Sequence, residues 1–402
     1  MKKHILVVSQ YFYPEQFRVN DICKALIERG YEVTVLTGIP NYPEGKFYKG
    51  YSFFSSSEMY DGIKIIRIPL IPRGKNKVSL MLNYLSFVVS GFFWKLFSNL
   101  KPDFIFIYEV SPMTQALPAV WFGKKKKIPI VLYVLDLWPE NLQIVGGVNQ
   151  KSVLHLIDKM VKYIYKNVDL ILTSSESFIS KISKKQVEKE KLRFWPQYAE
   201  EFYFPVLEKQ ENEIPSDSFL NLTFAGNIGK AQGLDVLPKT AQILKEKNKK
   251  VRFNIIGDGR YKDDFIKDIE LKKVQDYFNF IPRKEAREIP LYFANSDASI
   301  ITLSQNELFE MTIPAKLQST MACGIPIIAS FDGEAARIVE TSGSGFVSKA
   351  GEAEELAENI IKFSKLSIDE RQQLGRNGLE YFQSHYKKSL LMDKLEDYFK
   401  EL

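Results

Sequence analysis

Cysteine and histidine are scarce in this sequence. Its 402 residues include two cysteines and three histidines. Cys23 and Cys323 lie far apart in the chain, and His4, His155 and His385 are scattered along it. These residues are too few and too dispersed for a disulfide framework or a zinc cluster. The sequence therefore predicts no metal site, and a reducing compartment such as the cytoplasm fits the cysteine content.

Sequence signals for nucleic-acid binding and for secretion are also missing. The net charge is +6, which suits an enzyme that binds phosphates or an anionic membrane surface. No helix-turn-helix spacing, zinc-finger cysteines or RNA-binding strand motif accompanies that charge, so we expect no nucleic-acid partner. The apolar run Ile5–Val8 is too short for a signal peptide and predicts a first buried strand. We therefore expect a cytoplasmic protein.

The first half of the sequence alternates short apolar runs with helical patterns. A helical pattern from Val19 to Arg29 stops at Gly30, a residue typical of helix C-termini. This alternation of strand, helix and strand predicts a parallel α/β sheet, with ligands at the carboxyl ends of the strands. The strands predicted for this half are 4–9, 31–37, 63–68, 103–108, 130–135 and 170–174.

A second strand–helix series follows a polar connection. Residues 208–218 are polar, contain Pro215 and show no hydrophobic period, which is typical of an inter-domain segment. We predict an N-terminal domain of residues 1–200, joined by the C-terminal helix of about 383–402, and a C-terminal domain of residues 201–382. The strands predicted for this second series are 220–225, 251–256, 298–303 and 326–330, and its predicted helices include 234–247 and 369–402.

One strongly apolar segment, Leu80–Phe97, allows three interpretations. Its length reaches the lower limit of about 17–25 residues for a membrane span. It predicts a buried crossover helix, a helix whose apolar face touches a bilayer surface, or a true span. The strand order argues against the span, because a crossing would split the predicted sheet. Lys75, Lys77 and the run Lys124–Lys127 would favour contact with anionic lipids.

Three loop-to-helix junctions in the second half carry residues suited to phosphate binding. Gly226–Gly233 follows a strand and precedes a helix, where backbone N–H groups can hold an anion. Gly257–Gly259 ends the next strand, on the same edge of the sheet. A further helix begins near Pro314 and ends at Gly324, with Lys316 in its first turn. A cation at that position opposes the helix dipole, which indicates an anionic ligand.

Taken in order, these motifs resemble the GT-B glycosyltransferases of family 4. The resemblance covers essentially the whole chain and includes Gly226–Gly233, Ile256–Gly259 and Pro314–Ala329 in the second half, and Asp136–Glu140 in the first. The sequence is most similar to the subgroup of O-antigen and capsule synthesis that includes an N-acetylfucosaminyl transferase. The resemblance implies an α/β fold of two Rossmann-like β/α/β domains facing across a cleft, with the C-terminal helix packed back on the N-terminal domain.

The same resemblance implies a donor site in the C-terminal domain for a nucleotide-diphosphate sugar. The Arg and Lys that the family commonly carries in the first loop are replaced here by Asn227 and Gln232. Lys230 and Lys316 are therefore expected to neutralise the departing diphosphate. The predicted donor-binding residues are Gly226, Asn227, Gly229, Lys230, Gln232, Gly257, Asp258, Pro282, Arg283, Pro314, Lys316, Gln318 and Ser319.

Catalytic and acceptor residues also follow from the resemblance. Glu310 matches the first of two family glutamates that bind the donor sugar and the ribose, and the second falls at Gln318 or Ser319. Asp136, at the end of a strand in the N-terminal domain, is expected to orient the acceptor or else to cap a helix. The predicted catalytic residues are Asp136, Glu310, Lys230 and Lys316. The predicted acceptor-binding residues are Glu15, Arg18, Trp138 and Glu140.

The expected function is sugar transfer with retention of the anomeric configuration, without a metal ion or cofactor. The expected donor is a UDP-sugar, in particular that of an N-acetylated deoxyhexosamine such as N-acetylfucosamine. The expected acceptor is a polyprenyl-diphosphate-linked saccharide of O-antigen or capsule synthesis, which would hold the enzyme on the inner face of the plasma membrane. Two alternatives stay open: an epimerase of UDP-N-acetylglucosamine with the same fold, and an inactive partner subunit that binds nucleotide sugars.

Overall fold

The computed structural model describes residues 2–54, 56–74, 76–144 and 146–402. Lys75, one of the lysines considered above, lies outside the described residues.

The chain forms two compact units, each with one sheet of its own. Unit 1 comprises Met1–Trp195 and Leu395–Leu402, and unit 2 comprises Pro196–Lys394. The sequence pattern predicts the division at residue 200 and the return at about residue 383. In the structure the division follows Trp195 and the return begins at Leu395.

Unit 1 is built on a sheet of eight strands. In chain order they are β1 (His4–Val8), β2 (Glu32–Gly38), β3 (Ser56–Tyr60), β4 (Ile63–Ile68), β5 (Phe104–Glu109), β6 (Ile130–Val134), β7 (Leu170–Thr173) and β8 (Leu192–Phe194). They lie in the order β3-β4-β2-β1-β5-β6-β7-β8, and only the β3–β4 pair among them is antiparallel. The central strands are continuous apolar runs because helices cover both faces of such a sheet.

In the described part of the chain up to Trp195, unit 1 has six α-helices. They are α1 (Arg18–Glu28), α2 (Lys77–Phe97), α3 (Ala116–Lys126), α4 (Glu140–Ile144), α5 (Lys151–Lys166) and α6 (Glu176–Ser183). Helix α1 shows why the sequence forms these helices. Val19, Ile22 and Leu26 recur at helical spacing and are buried. The helix is followed by Gly30 with φ +91°, a conformation that glycine adopts readily.

Unit 2 carries a six-stranded sheet whose strands are all parallel. The strands are β9 (Leu220–Ala225), β10 (Val251–Ile256), β11 (Phe278–Ile281), β12 (Ala298–Thr302), β13 (Ile327–Ser330) and β14 (Gly345–Ser348), in the order β11-β10-β9-β12-β13-β14. The helices are α7 (Val236–Glu246), α8 (Lys262–Leu271), α9 (Ile289–Ala294), α10 (Glu307–Glu310), α11 (Ala315–Ala322), α12 (Gly333–Ser342), α13 (Ala353–Ser364) and α14 (Ile368–His385).

The end of the chain is two helices rather than the single helix predicted over 369–402. Helix α14 ends at His385, and α15 (Lys388–Lys400) begins after Tyr386, whose side chain is buried. The last residues of α15 belong to unit 1, where the Phe399 ring stacks on Phe104 with centroids 5.2 Å apart. The expected return of the C-terminus to the N-terminal domain is therefore made by α15.

Helix α2 contains the apolar segment for which the sequence allows three interpretations. Along its 21 residues only Asn83, Phe87 and Gly91 are buried. The most apolar 18-residue window has a mean hydropathy of 1.4, yet only 17% of it is buried. The interpretation as a buried crossover helix is therefore wrong, because most of the apolar surface faces outward.

The predicted fold class, an α/β protein with two Rossmann-like domains, is confirmed. Each unit has a largely parallel sheet with a point where the strand order reverses: between β1 and β5 in unit 1, and between β9 and β12 in unit 2. In open α/β sheets, the crevice at the carboxyl side of that point is where ligands bind.

Candidate functional site

Two glycine-containing loops meet backbone to backbone at the carboxyl edge of the unit 2 sheet. The Gly226 N–H donates to the Ile256 carbonyl at 2.9 Å, and the Ile228 N–H donates to the Asp258 carbonyl at 2.8 Å. A β-carbon on Gly257 would lie 1.9 Å from the Gly226 oxygen, so only glycine allows this approach. The loops after β9 and β10 thus form one rigid surface, as their shared position on the sheet edge predicts.

The first of these loops also covers the end of β12, at the reversal of strand order. After Gly229 the chain makes a short 3₁₀ turn over Lys230–Gln232. The Ser304 N–H, just beyond β12, donates to the Ala231 carbonyl at 3.1 Å. The predicted phosphate loop therefore lies in the crevice where parallel sheets bind ligands.

Lys316 reaches this loop from the first turn of α11. Its Nζ donates a hydrogen bond to the side-chain oxygen of Gln232 and lies 3.8 Å from the centroid of the Phe224 ring. A β-carbon on Gly226 would stand 2.6 Å from Lys316 Cε, so the lysine stem packs directly on the loop backbone. The structure thereby brings together the predicted donor residues Gly226, Gln232 and Lys316.

The environment of Lys316 disfavours its own charge. Burial lowers the pKa of Lys316 from 10.5 to about 7, because desolvation penalises the ammonium form. Among the described residues, no carboxylate forms an ion pair with its Nζ. A cation held by a ring face and an amide, without a counter-charge, is arranged to receive an anionic ligand.

The other predicted donor residues from α10 and α11 have structural contacts as well. Pro314 is the N-cap residue of α11, one position earlier than the first turn in which the sequence predicts it. Gln318 is buried, and in the orientation that satisfies its amide the nitrogen donates to the Pro314 carbonyl at 2.8 Å. The Ser319 hydroxyl donates to the Ala315 carbonyl at 3.1 Å. Glu310 is exposed at the end of α10.

The remaining predicted residues line the same carboxyl edge. Asn227, Lys230 and Asp258 are exposed on the two loops, and Gly229 is half-buried between them. A third loop follows β11, the strand next to β10, and its predicted residues Pro282 and Arg283 are exposed. No contact joins Pro282 or Arg283 to Lys316 among the described side chains.

A cavity of about 780 Å³ lies elsewhere on unit 2, on the amino side of the sheet, where its lining includes Asp217, Lys250 and Arg371. None of the predicted donor residues contributes to its lining. The chemistry of the carboxyl edge, with its buried lysine and packed glycine loops, is the better guide to the ligand site than cavity size.

In unit 1, Glu15 holds two loops together at the carboxyl edge of the sheet. Its carboxylate accepts hydrogen bonds from the backbone N–H groups of Asn41 at 2.8 Å, Tyr42 at 2.7 Å and Phe12 at 3.3 Å. Burial raises the pKa of Glu15 to about 7, although these bonds and the nearby Arg67 oppose the rise. Glu15 is therefore a buried loop anchor, not a solvated loop carboxylate.

Asp136 and Trp138 converge on Ser111, beyond the end of β5. Asp136 accepts the Ser111 N–H at 2.7 Å, and the Trp138 indole N–H donates to the Ser111 hydroxyl at 3.1 Å. Burial raises the pKa of Asp136, and hydrogen bonds from Ser111 oppose the rise. The structure therefore unites two residues that sequence reasoning assigned to catalysis and to the acceptor.

Glu109 is a neighbour of Asp136 that the sequence prediction missed. It is fully buried, and its carboxylate accepts the Asp136 N–H at 3.4 Å. Burial first, and the nearby Asp136 charge second, raise the pKa of Glu109 well above its usual range. The sequence does contain a signal for Glu109. It is a charged residue at the end of a buried strand, as Asp136 is just after β6.

Arg18 and Glu140 lie at the starts of two different helices. Arg18 is the first residue of α1 and is half-buried. Glu140 begins α4, and its carboxylate lies 3.2 Å from Lys185 Nζ, which also pairs with Asp158 at 3.0 Å. Glu140 is thus part of an ion-pair cluster within unit 1.

Buried polar atoms without a hydrogen-bond partner gather in unit 1. Buried polar groups are nearly always paired, so such atoms indicate places where water or a ligand completes the bonding. Of the nine found among the described residues, seven belong to unit 1. They are Gln10 Oε1, Tyr11 Oη, Glu109 Oε1, Thr114 Oγ1, Tyr133 Oη, Glu140 Oε2 and Tyr165 Oη.

Each half of the chain matches a family of glycosyltransferase domains. The family "Glycosyl transferase 4-like domain" matches residues 16–197, and "Glycosyl transferases group 1" matches residues 207–381. The first match falls on unit 1, which carries Glu15 and Asp136, and the second on unit 2, which carries Lys316.

Individual proteins show the same likeness at low identity. The chain is 26% identical to the glycosyltransferase WbjE of Pseudomonas aeruginosa over 64% of this chain and 65% of WbjE. It is 24% identical to the colanic acid biosynthesis glycosyl transferase WcaI of Escherichia coli K12 over 80% of this chain and 81% of WcaI. The chain therefore spans 65% of the length of WbjE, slightly less than two thirds.

A solved structure extends the likeness to the fold of the entire chain. The crystal structure of Anabaena HepE in complex with UDP and glucose superposes with a TM-score of 0.69. It is 14% identical in sequence, and the match covers 100% of both chains. At this identity the likeness concerns the fold.

Proposed function

We propose that this chain, each half of which matches a glycosyltransferase domain family, transfers a sugar from a UDP-sugar to a lipid-linked saccharide. The donor is bound by unit 2 and the acceptor by unit 1. The observation that carries the proposal is Lys316, which packs on the glycine loop after β9 and has no carboxylate partner among the residues that the structure describes.

The donor diphosphate is the ligand that best fits the carboxyl edge of unit 2. The leaving diphosphate gains charge as the glycosidic bond breaks, so fixed cations and N–H groups around it lower the barrier. Lys316 supplies a buried cation, and Lys230 an exposed one on the same loop. Loop N–H groups and the first turn of α11 add donors. The HepE structure, which contains UDP, supports UDP as the nucleotide.

The transfer proceeds with retention and without a metal ion or cofactor. The acceptor hydroxyl oxygen forms a bond to the anomeric carbon on the face from which the UDP oxygen departs. The bond between that carbon and the UDP oxygen breaks, and the hydroxyl proton passes to the departing phosphate oxygen. Lys230 and Lys316 neutralise the diphosphate, Glu310 contacts the donor sugar, and Asp136 orients the acceptor.

The acceptor is a saccharide on a polyprenyl diphosphate, in the assembly of a bacterial surface polysaccharide such as O-antigen or capsule. WcaI, which is matched over most of the chain, is named for colanic acid biosynthesis, and this supports a polysaccharide pathway. The donor sugar is an N-acetylated deoxyhexosamine such as N-acetylfucosamine, and the enzyme works peripherally on the cytoplasmic membrane face.

The test is a thermal-shift screen of UDP, GDP, ADP and UDP-sugars with the wild-type protein and Lys316→Met. We expect UDP and one or more UDP-sugars to raise the melting temperature of the wild type, and to do so much less for the variant. A shift with GDP or ADP but not UDP would contradict the assignment of the nucleotide. Assay of any hit with and without acceptor then separates transfer from epimerisation, since an epimerase would release or isomerise the sugar without acceptor.

A further inference from the structure

Helix α2 presents a long apolar face on the outside of unit 1. The helix has 21 residues, which makes it about 31 Å long at 1.5 Å per residue. It contains no acidic residue. Exposed apolar area of this extent marks an interaction surface rather than ordinary protein surface. The large exposed residues of this apolar face are Val78, Met81, Leu82, Leu85, Val89, Phe92, Phe93, Leu96 and Phe97.

The opposite side of α2 is fixed to the fold by buried polar and close contacts. The Asn83 amide nitrogen donates to the Ile71 carbonyl at 2.6 Å, and its oxygen accepts from Gln10 Nε2 at 2.7 Å. A β-carbon on Gly91 would lie 2.4 Å from Pro118 Cγ, so α2 and α3 touch at the backbone. A helix held in this way is a component of unit 1, and a bilayer crossing would break these contacts.

Basic residues cluster beside the C-terminal end of the apolar face. The Trp94 and Phe122 ring centroids are 4.9 Å apart, which places the end of α3 against the end of α2. Helix α3 ends in the run Lys124–Lys127, of which Lys124, Lys125 and Lys127 are exposed.

Helix α5 continues this basic surface. Lys124 Nζ lies 6.0 Å from the Tyr163 ring of α5, so the two helices adjoin. Asp158, the one acidic residue of α5, is already paired with Lys162 and Lys185. The exposed lysines of α3 and α5, here called the lysine rim, are Lys124, Lys125, Lys127, Lys151, Lys159, Lys162 and Lys166.

We propose that α2 lies in the plane of an anionic lipid bilayer without crossing it, with its apolar face among the acyl chains and the lysine rim on the headgroups. An apolar stripe bordered by lysines is the pattern of helices that bind in the bilayer interface. This inference rests on the proposed function in that a lipid-linked acceptor requires an enzyme at the membrane. It identifies the surface of unit 1 that makes the contact.

The occupant is a lipid surface because the lysine rim beside the apolar face is positive, and Asp158, the one acidic residue of α5, is already paired. A second copy of the chain would bring lysine rims together or leave them unpaired, whereas anionic headgroups neutralise them. The buried contacts of Asn83 and Gly91 distinguish an in-plane helix from a span.

Flotation with lipid vesicles tests the apolar face. The wild type is expected to float with vesicles of equal parts phosphatidylcholine and phosphatidylglycerol. The double variant Val89→Glu/Phe93→Glu, on the apolar face, should float at least about tenfold less, since charges in the acyl region are costly. The control is Leu271→Glu, which charges an exposed apolar residue of unit 2 and should float as the wild type does. Equal flotation of the double variant and the wild type would overturn the proposal.

The lysine rim is tested by charge removal. The triple variant Lys124→Gln/Lys125→Gln/Lys127→Gln should lose affinity for the anionic vesicles by on the order of 100-fold, about fivefold per charge. The control removes three exposed lysines of unit 2, Lys267, Lys365 and Lys387, in the same way and should change the affinity little. Equal losses in the two triple variants would mean that net charge, and not the rim, attracts the lipid.

Three further measurements separate this proposal from its rivals and from the proposed function. Extraction at alkaline pH should release the vesicle-bound wild type, and retention would indicate a span and overturn the in-plane arrangement. Sedimentation should show the same oligomeric state for the wild type and the double variant; loss of a dimer in the variant with unchanged flotation would assign the face to a second copy. The thermal shift with UDP reports on unit 2 and should be unaltered in every variant, so failure of membrane binding leaves the donor assignment standing.

Discussion

The burial of Lys316 carries an energetic cost that its proposed role in binding the donor diphosphate explains. A lysine packed against Phe224 and Gly226 with an amide as its partner is less stable in its charged form than a lysine in water. Proteins retain such groups mainly at functional sites. The buried position of Lys316 makes it the central residue of the proposed donor site.

We predict that Lys316→Met stabilises the protein while impairing function. Methionine keeps the unbranched stem against Phe224 and removes the desolvated charge, so the melting temperature should rise by about 2–4 °C, equivalent to roughly 1 kcal/mol. Loss of a cation at the leaving diphosphate should lower kcat/KM by about 100-fold or more. Calorimetry and steady-state kinetics measure the two effects. Lys230→Met, at an exposed site on the same loop, is the control: it should leave the melting temperature unchanged.

The lowered pKa of Lys316 also predicts a pH dependence of UDP binding. With a pKa of about 7 in the free protein, the amine is largely neutral above pH 7, while a bound diphosphate favours the ammonium form. Binding then takes up a proton, and the Kd for UDP should rise by up to about tenfold per pH unit above 7. Titration calorimetry in buffers of different ionisation enthalpy measures this uptake. A Kd for UDP that stays constant in the wild type over about 1.5 pH units above pH 7.5 would count against Lys316 as the diphosphate ligand.

The pH dependence that Lys316 gives to the free energy of unfolding has the opposite sign to that of an ordinary surface lysine. The unfolded chain binds the Lys316 proton below pH 10.5 and the folded protein only below about 7. The contribution of Lys316 to the free energy of unfolding therefore falls as the pH drops from about 10.5 to 7, and stays level below 7. Lys316→Met should lack this pH-dependent part.

We predict that Glu15 stabilises unit 1 by holding two of its loops together. Replacement by alanine leaves the buried N–H groups of Asn41, Tyr42 and Phe12 without their acceptor. We expect a loss of about 2–3 kcal/mol in the free energy of unfolding, measured by denaturant titration. Gln16→Ala removes an exposed neighbour on the same loop and is the control. Should both variants unfold alike, the anchoring role of Glu15 is wrong.

At the scale of elements, the contact between the loops after β9 and β10 organises the donor site. Gly257→Ala places a methyl group where the Gly226 oxygen stands, and we expect a loss of stability on the order of 3 kcal/mol together with loss of the UDP thermal shift. Gly351 is the matched control, since it also has a positive φ of +79° but nothing within 4 Å of an added β-carbon. Gly351→Ala should cost only about 1 kcal/mol of backbone strain. A similar loss in the two variants would show that strain, rather than the close approach, governs Gly257.

The elements that the sequence predicts well are those with strong patterns. The sequence predicts the central strands, which are continuous apolar runs. It does not predict β3 (Ser56–Tyr60), β8 (Leu192–Phe194), β11 (Phe278–Ile281) or β14 (Gly345–Ser348), because short and partly exposed strands carry little hydrophobic signal. The sequence does not predict the break between α14 and α15, because Tyr386 continues the helical pattern. In the structure Tyr386 ends α14, and its side chain is buried.

The environment of a side chain is what the sequence could not provide. A run such as Leu80–Phe97 has the same composition in a core helix and in a surface helix, so the exposure of α2 needed the structure. Gln232 marks the loss of the family lysine in the sequence, but its hydrogen bond to Lys316 joins residues far apart in the chain. Glu109 was missed because only burial distinguishes it from an ordinary charged residue at a strand end.

At the scale of the molecule, each unit binds one of the two substrates of the proposed reaction. Unit 2 offers a buried lysine and closely packed backbone loops at its sheet edge, and unit 1 offers the carboxylates of Glu15 and Asp136 at its own. This division matches the two domain families found in the two halves of the chain. It also means that donor binding can be measured without knowledge of the acceptor.

Hydrogen–deuterium exchange of the full chain with and without UDP tests the central claim most directly. We predict that UDP slows amide exchange in the peptides that contain Gly226–Gly233, Gly257–Gly259 and Pro314–Ser319, and that Lys316→Met abolishes this protection. Binding of UDP, shown by calorimetry, with protection confined to unit 1 or to the cavity lined by Asp217 and Arg371 would contradict the account.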